Sequence, residues 1–197
     1  FYKISPLVIC TGLSLEDPLE FKENPEVILR VKDTQSGSTN WDEKGVGYLL
    51  HKLRAGNDKN LTDEVDPTLR LEHMLNQTAR VRGKAVRVKA YMLASAKRKT
   101  IMDNASGVRW VYYGFLGNLN QEIFSFICLE PPLFTKGSSV TVDGYFLQLI
   151  SYRDNKGSLV TTPVIVATRI AGEPDIVPNR QVSPVLFWVG SGVVAVL

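Results

Sequence analysis

The sequence predicts a mainly β fold with minor α, its strands closing into a small barrel. Three observations predict it. Between Arg82 and Ile170, runs rich in β-branched and aromatic residues are separated by Gly, Asn, Asp and Pro. Val86, Val88, Ala90 and Met92 alternate with Arg87, Lys89, Tyr91 and Leu93, the period of a half-buried strand. Gly144 interrupts the long run from Val140 to Tyr152, a natural bend or bulge, and a bent long strand suits closure of a small ring. An OB-like five-stranded barrel over residues 66–172 is the expectation, with a helical linker before it and an apolar segment after it.

Residues 1–15 read as a strand. Ser5-Pro6 followed by Leu7 to Thr11 matches Thr162-Pro163 followed by Val164 to Thr168, and both runs leave through an acidic residue and proline. The match marks either the last strand of an upstream OB-like repeat or a chance likeness of two apolar strands. Residues 16–65 read as a linker. Glu16, Asp17, Glu20, Glu23 and Glu26 make its start acidic, and Val27 to Val31 suits a short strand. A helix is expected over about 41–55. Asn40 suits its cap, Asp42 and Glu43 its first turn, and Lys52 and Arg54 its last, each on the side the helix dipole favours. Val46, Leu49, Leu50 and Leu53 form one apolar stripe, and Gly56 stops it.

Asp66-Pro67 suits the start of a second short helix, with Pro at the first position. After the Val86 strand, residues 96–106 read as a loop. Strands follow at 108–116, at 123–129 and, beyond Pro131-Pro132, at 140–152; Asp154 to Gly157 is a hairpin loop before the last strand. Residues 173–183 read as a linker. From Pro184 to Leu197 there is no charge, but 14 residues fall short of the roughly 20 that span a bilayer. This stretch is either the start of a membrane anchor that includes Pro184, Phe187 and Trp188, with Trp188 near the interface, or an apolar strand docked on the domain.

The order of these features carries a resemblance. Arg82-Gly83-Lys84, Val86 and Val88, Trp110, Pro131, Val140 with Gly144-Tyr145-Phe146, and Pro163 resemble, over about 66–172, a family of bacterial envelope proteins best known from planctomycetes. The resemblance implies tandem OB-like domains next to membrane segments. It implies no reaction, ligand or catalytic residue, and residues 16–65 do not match it.

Few groups here suit catalysis. His51 and His73 lie one on each expected helix, and no Ser-His-Asp order, HExxH, Walker or GxGxxG pattern occurs. Cys10 and Cys128 stand far apart outside any CxxC, so neither a zinc site nor a disulfide framework is indicated. No enzyme, metal or cofactor is expected. A net charge of +3 does not by itself imply nucleic acid.

The charge is unevenly spread, however. Eight basic residues and no acidic one fall between Arg80 and Lys99, and Trp110, Tyr112, Tyr113 and Phe115 follow on the next strand. The candidate interaction surface is therefore Arg82, Lys84, Arg87, Lys89, Lys97, Arg98, Lys99, Trp110 and Tyr112. With the apolar C-terminus, the main reading is a non-enzymatic assembly subunit of a bacterial membrane or envelope complex. It would work on the periplasmic side through contacts with other protein subunits and be held to the membrane by its C-terminus. The alternatives are a single-stranded nucleic-acid-binding OB-fold protein, disfavoured by that anchor, and an envelope domain binding a solute or cation.

Overall fold

In β1 (Ala85–Met92), Val86, Val88, Ala90 and Met92 are buried, while Arg87, Lys89 and Tyr91 face water. A period of two is what a pleated strand with one apolar side dictates. The computed structural model describes residues 21–34, 40–56, 58–102, 104, 106–154 and 157–172. The strand expected over 1–15, the linker over 173–183 and the anchor with Pro184, Phe187 and Trp188 lie outside them.

The other strands are β2 (Lys97–Thr100), β3 (Trp110–Gly117), β4 (Ile123–Cys128), β5 (Ser139–Arg153), β6 (Leu159–Ala167) and β7 (Ala171–Gly172). Their pairings run β1–β3–β4–β6–β5, and β5 pairs back to β1. All are antiparallel except β4 with β6. β2 pairs with β3, and β7 with β5. The fold is thus mainly β with minor α, and among the described residues no helix is long and apolar enough to cross a membrane. Pro163 lies opposite Leu149 of β5, one residue before β6 begins pairing with β4 at Val164. A residue without an N–H fits that unpaired edge.

Apolar side chains fill both sides of this sheet. Phe126, Phe146, Leu116, Met92 and Ile165 form the inner core, joined by Met74 of α4 (Leu71–Asn76) and Val81 of α5 (Thr78–Val81). The outer core lies between the sheet and α1 (Pro25–Leu29), α2 (Glu43–Ala55) and α3 (Asp58–Glu64). There Val46, Leu49 and Leu50 of α2 meet the side of the sheet that carries Val111, Ile127, Tyr145, Leu147, Val164 and Val166. Within the stretch read as a linker, the described helices α1, α2 and α3 therefore cover the outer core.

Several local expectations are corrected. Instead of a strand over Val27 to Val31 there is a helix, α1 over Pro25–Leu29, because Pro25 at its first turn presets the helical φ and Ile28 is buried in the outer core. The cap of α2 is Asp42, whose carboxylate accepts from the Gly45 N–H at 2.7 Å; Asn40 lies two residues too early. Asp66 makes a turn, accepting from the Thr68 N–H at 2.9 Å and its hydroxyl at 2.6 Å, and the helix begins only at Leu71. The 96–106 loop contains β2.

The irregularity of β5 falls between Phe146 and Gln148, not at Gly144. The extra residue resets the alternation, so that Phe146 and Leu149 both enter the inner core while Leu147 and Ile150 join the outer one. Gly144 serves a close approach instead: a Cβ there would lie 2.5 Å from the carbonyl oxygen of Val166.

Candidate functional site

On β3 the outward residues are Val111, Tyr113 and Phe115, and beside them on β4 lie Ser125 and Ile127. α2 covers the Val111 and Ile127 end. The other end stays open as a cleft of about 310 Å³, lined by Asn40, Trp41, Lys97, Lys99, Tyr113, Phe115, Ser125 and Ile150. Its floor is aromatic and its β2 wall is basic.

Each side chain is held by its element. Register sets Lys97 opposite Tyr113 and Lys99 opposite Val111, which puts both lysines on the cleft side of β2. Trp41 meets Tyr113 edge-on, with ring centres 5.2 Å apart, and Phe115 tilts against Tyr152 at 5.3 Å. The ammonium of Lys99 stands 4.1 Å above the Trp41 ring and 3.8 Å from Glu43. Trp41 is placed by the start of α2, where the Asp42 N–H donates to the side-chain oxygen of buried Gln148 at 2.7 Å. Burial, with the Asp154 carboxylate second, raises the Tyr152 pKa, so its phenol stays neutral at physiological pH. Flat rings flanked by two ammonium groups can stack a base and hold a phosphate.

The structure divides the strip read from the sequence. Arg82 is a buried strut: it ion-pairs with Asp33 at 2.7 Å and donates to the carbonyl of Val31. Arg87 pairs with Asp143 across β1 and β5 through two contacts of 2.6 and 2.7 Å, and that hydrogen bonding raises its pKa. Lys84 and Lys89 are exposed around β1. Lys97 and Lys99 line the cleft, while Arg98, Trp110 and Tyr112 belong to the reverse side of β2 and β3. Tyr113 and Phe115 were legible as every second residue of an aromatic strand. Trp41 was not, because it comes from a segment far away in sequence.

Other groups offer less. A cavity of about 400 Å³ between β1 and residues 62–70 is lined by Arg70, Arg87, Lys89 and Asp66 but by no aromatic ring. Three of its charges are engaged within the protein, Arg87 with Asp143, Arg70 with the Pro67 carbonyl and Asp66 with Thr68. His73 accepts from the Arg70 N–H, and His51 meets Phe21 edge-on. Cys128 is a buried thiol, pushed up to about 12 by burial and then by Glu130. Among the described residues no group of three or more His, Cys, Asp or Glu is placed to hold a metal ion.

No family model matches the chain, and no curated protein does. Solved structures match in part. The small single-stranded DNA-binding protein of Streptomyces coelicolor is similar at 10% identity and a TM-score of 0.34, over 46% of this chain and 94% of that one. A mitochondrial single-stranded DNA-binding protein of S. cerevisiae gives 10% and 0.32, over 46% and 98%. The second OB-fold domain of replication protein A from Methanococcus maripaludis gives 16% and 0.30, over 46% and 85%.

The expected assembly subunit of a membrane complex, with other protein subunits and the membrane as partners and nucleic acid disfavoured, is corrected here. Two of the structures found, those of Streptomyces coelicolor and S. cerevisiae, are of single-stranded DNA-binding proteins, on the side of the nucleic-acid alternative. At TM-scores near 0.3 the likeness adds no argument about mechanism, which has to come from the cleft itself.

Proposed function

We propose that the chain is a single-stranded nucleic-acid-binding module that acts by binding and not by catalysis. In this reading β1, β3, β4, β5 and β6 make an OB-like barrel. The pairing order β1–β3–β4–β6–β5 then makes β3 and β4 the second and third strands, the pair whose outer side takes oligonucleotides in that architecture. The observation that carries the reading is the cleft on that side, with Tyr113, Phe115 and Trp41 beside Lys97 and Lys99. Base–aromatic stacking tolerates any sequence, and the lysines act on phosphates, so binding with little sequence preference and strong salt dependence follows.

α2 takes the other half of the same side, which narrows the open track to the Tyr113 and Phe115 end. The test is fluorescence anisotropy of labelled oligo(dT) and oligo(U) at several salt concentrations. Affinity that falls with salt, and falls further in the Lys97→Ala, Lys99→Ala double variant, supports the reading. An unaltered protein that binds neither oligonucleotide at low salt overturns it.

A further inference from the structure

The cleft uses one side of the ribbon formed by β2 and the first residues of β3. The reverse side carries groups that the cleft leaves out. Register sets Arg98 opposite Tyr112 and Thr100 opposite Trp110 there. The Arg98 guanidinium lies 4.7 Å from the centre of the Trp110 ring, and Trp110 keeps 44% of its surface exposed. Arg109 is exposed beside it, and Tyr112 is half-buried against the inner core.

This side of the ribbon is not simply the inner core continued. Further along β3 the same side carries Gly114 and Leu116, both buried. Pairing of β3 with β4 starts only at Tyr112, so the backbone of Trp110 and Val111 pairs with β2 alone. Trp110 therefore stands past the end of the β3–β4 pairing, where its indole meets Arg98 and stays partly open to water. Large apolar rings left open to water beside a planar cation are the surface on which bases stack.

We infer that Arg98 and Trp110 form a second stacking platform for the single strand that occupies the cleft. The inference rests on the reading of the cleft as a single-strand site and extends it. Among the described residues β2 pairs only with β3, which leaves its other edge open. A strand leaving the cleft crosses that edge, where Lys97, Arg98 and Lys99 alternate from one side to the other and meet successive phosphates. Its next bases then reach Trp110. A short oligonucleotide fills the cleft alone; a longer one uses both.

The test compares oligo(dT) of about 5 and about 15 nucleotides, near the limits of the site sizes seen for one such fold. Binding is measured for the unaltered protein and for Trp110→Ala and Arg98→Lys. Trp110→Ala weakens binding of the long oligonucleotide about tenfold, in the range of one lost base–aromatic stack, and leaves the short one unchanged. Arg98→Lys, which keeps the charge and loses the planar stack, also weakens only the long one. Equal losses for both lengths in the two variants, or no loss in either, overturn the platform while the cleft stands. No binding of either length by the unaltered protein removes the cleft reading and the platform together.

Discussion

The guanidinium of Arg82 meets the carboxylate of Asp33 at 2.7 Å, and the same Asp33 oxygen accepts from the Leu149 N–H at 2.8 Å. One carboxylate thus ties the turn before β1 to the loop between α1 and α2 and to the middle of β5. Arg82 keeps only 9% of its side chain exposed, so its charge depends on this partner. Removing one partner of a buried pair strands the other. Arg82→Ala is expected to cost roughly 3 kcal/mol, toward the low end of the range for broken buried pairs because Asp33 stays 36% exposed. Urea unfolding checks the loss. Oligonucleotide affinity of the folded variant stays unchanged, since Arg82 has no part in the cleft.

The cleft separates stacking from charge. Phe115→Ala is expected to weaken oligonucleotide binding by about 1–3 kcal/mol, the scale of one lost stack, without changing the salt dependence. The Lys97→Ala, Lys99→Ala variant should lower the slope of log affinity against log salt by roughly 1.4, or about 0.7 for each phosphate contact to a single strand. Anisotropy titrations over a range of salt read both. A Phe115→Ala variant with unchanged affinity would remove that ring from the site.

α2 rests on its glycines. A Cβ on Gly47 would lie 2.5 Å from the Cβ of Asn104, and one on Gly45 would lie 2.7 Å from Val31 and 2.9 Å from Leu147. Gly47→Ala should therefore destabilise the protein by about 1–3 kcal/mol through overpacking, against the gain that Ala ordinarily brings to a helix. A lower melting temperature is the expected outcome. A higher one would mean that α2 can shift away from Asn104.

Cys128 sets a limit at high pH. Its thiol ordinarily ionises near 9.0 and in the fold only near 12, because burial disfavours the thiolate. Between those values the unfolded chain gives up a proton that the folded one keeps. Stability is therefore full below about pH 9 and falls as pH rises towards 12, by at most about 1.4 kcal/mol per pH unit from this group. Burial also raises the pKa of Tyr48, Tyr145 and Tyr152, which steepens the fall above their ordinary value of 10.0. Denaturation followed from pH 8 to 11 should show this decline, and Cys128→Ala should remove its first part.

Five strands, β1, β3, β4, β5 and β6, were legible because each run reports its own surroundings, whereas β2 was read as a loop. β1 alternates with period two since one side meets the inner core, and Pro131-Pro132 and Gly157 mark where runs end. The helix over 43–55 was legible for the same reason, from one apolar stripe between an acidic start and a basic end. Half of the cleft was visible too, in the lysines of 97–99 and the aromatics of 110–115.

What the amino-acid order determined by itself was local: strand period, one helix, a run of positive charge and a row of rings. Tertiary structure decided which of those groups face one another. It turned Arg82 inward to Asp33 and locked Arg87 to Asp143. It set Lys97 and Lys99 on one side of a ribbon and Arg98 with Trp110 on the other. It also brought Trp41 to Tyr113 and laid α2 over half of the outer side. The physical reason is that a strand's period says which residues share a side, while the burial of α2 and the register of β2 on β3 depend on partners distant in the chain.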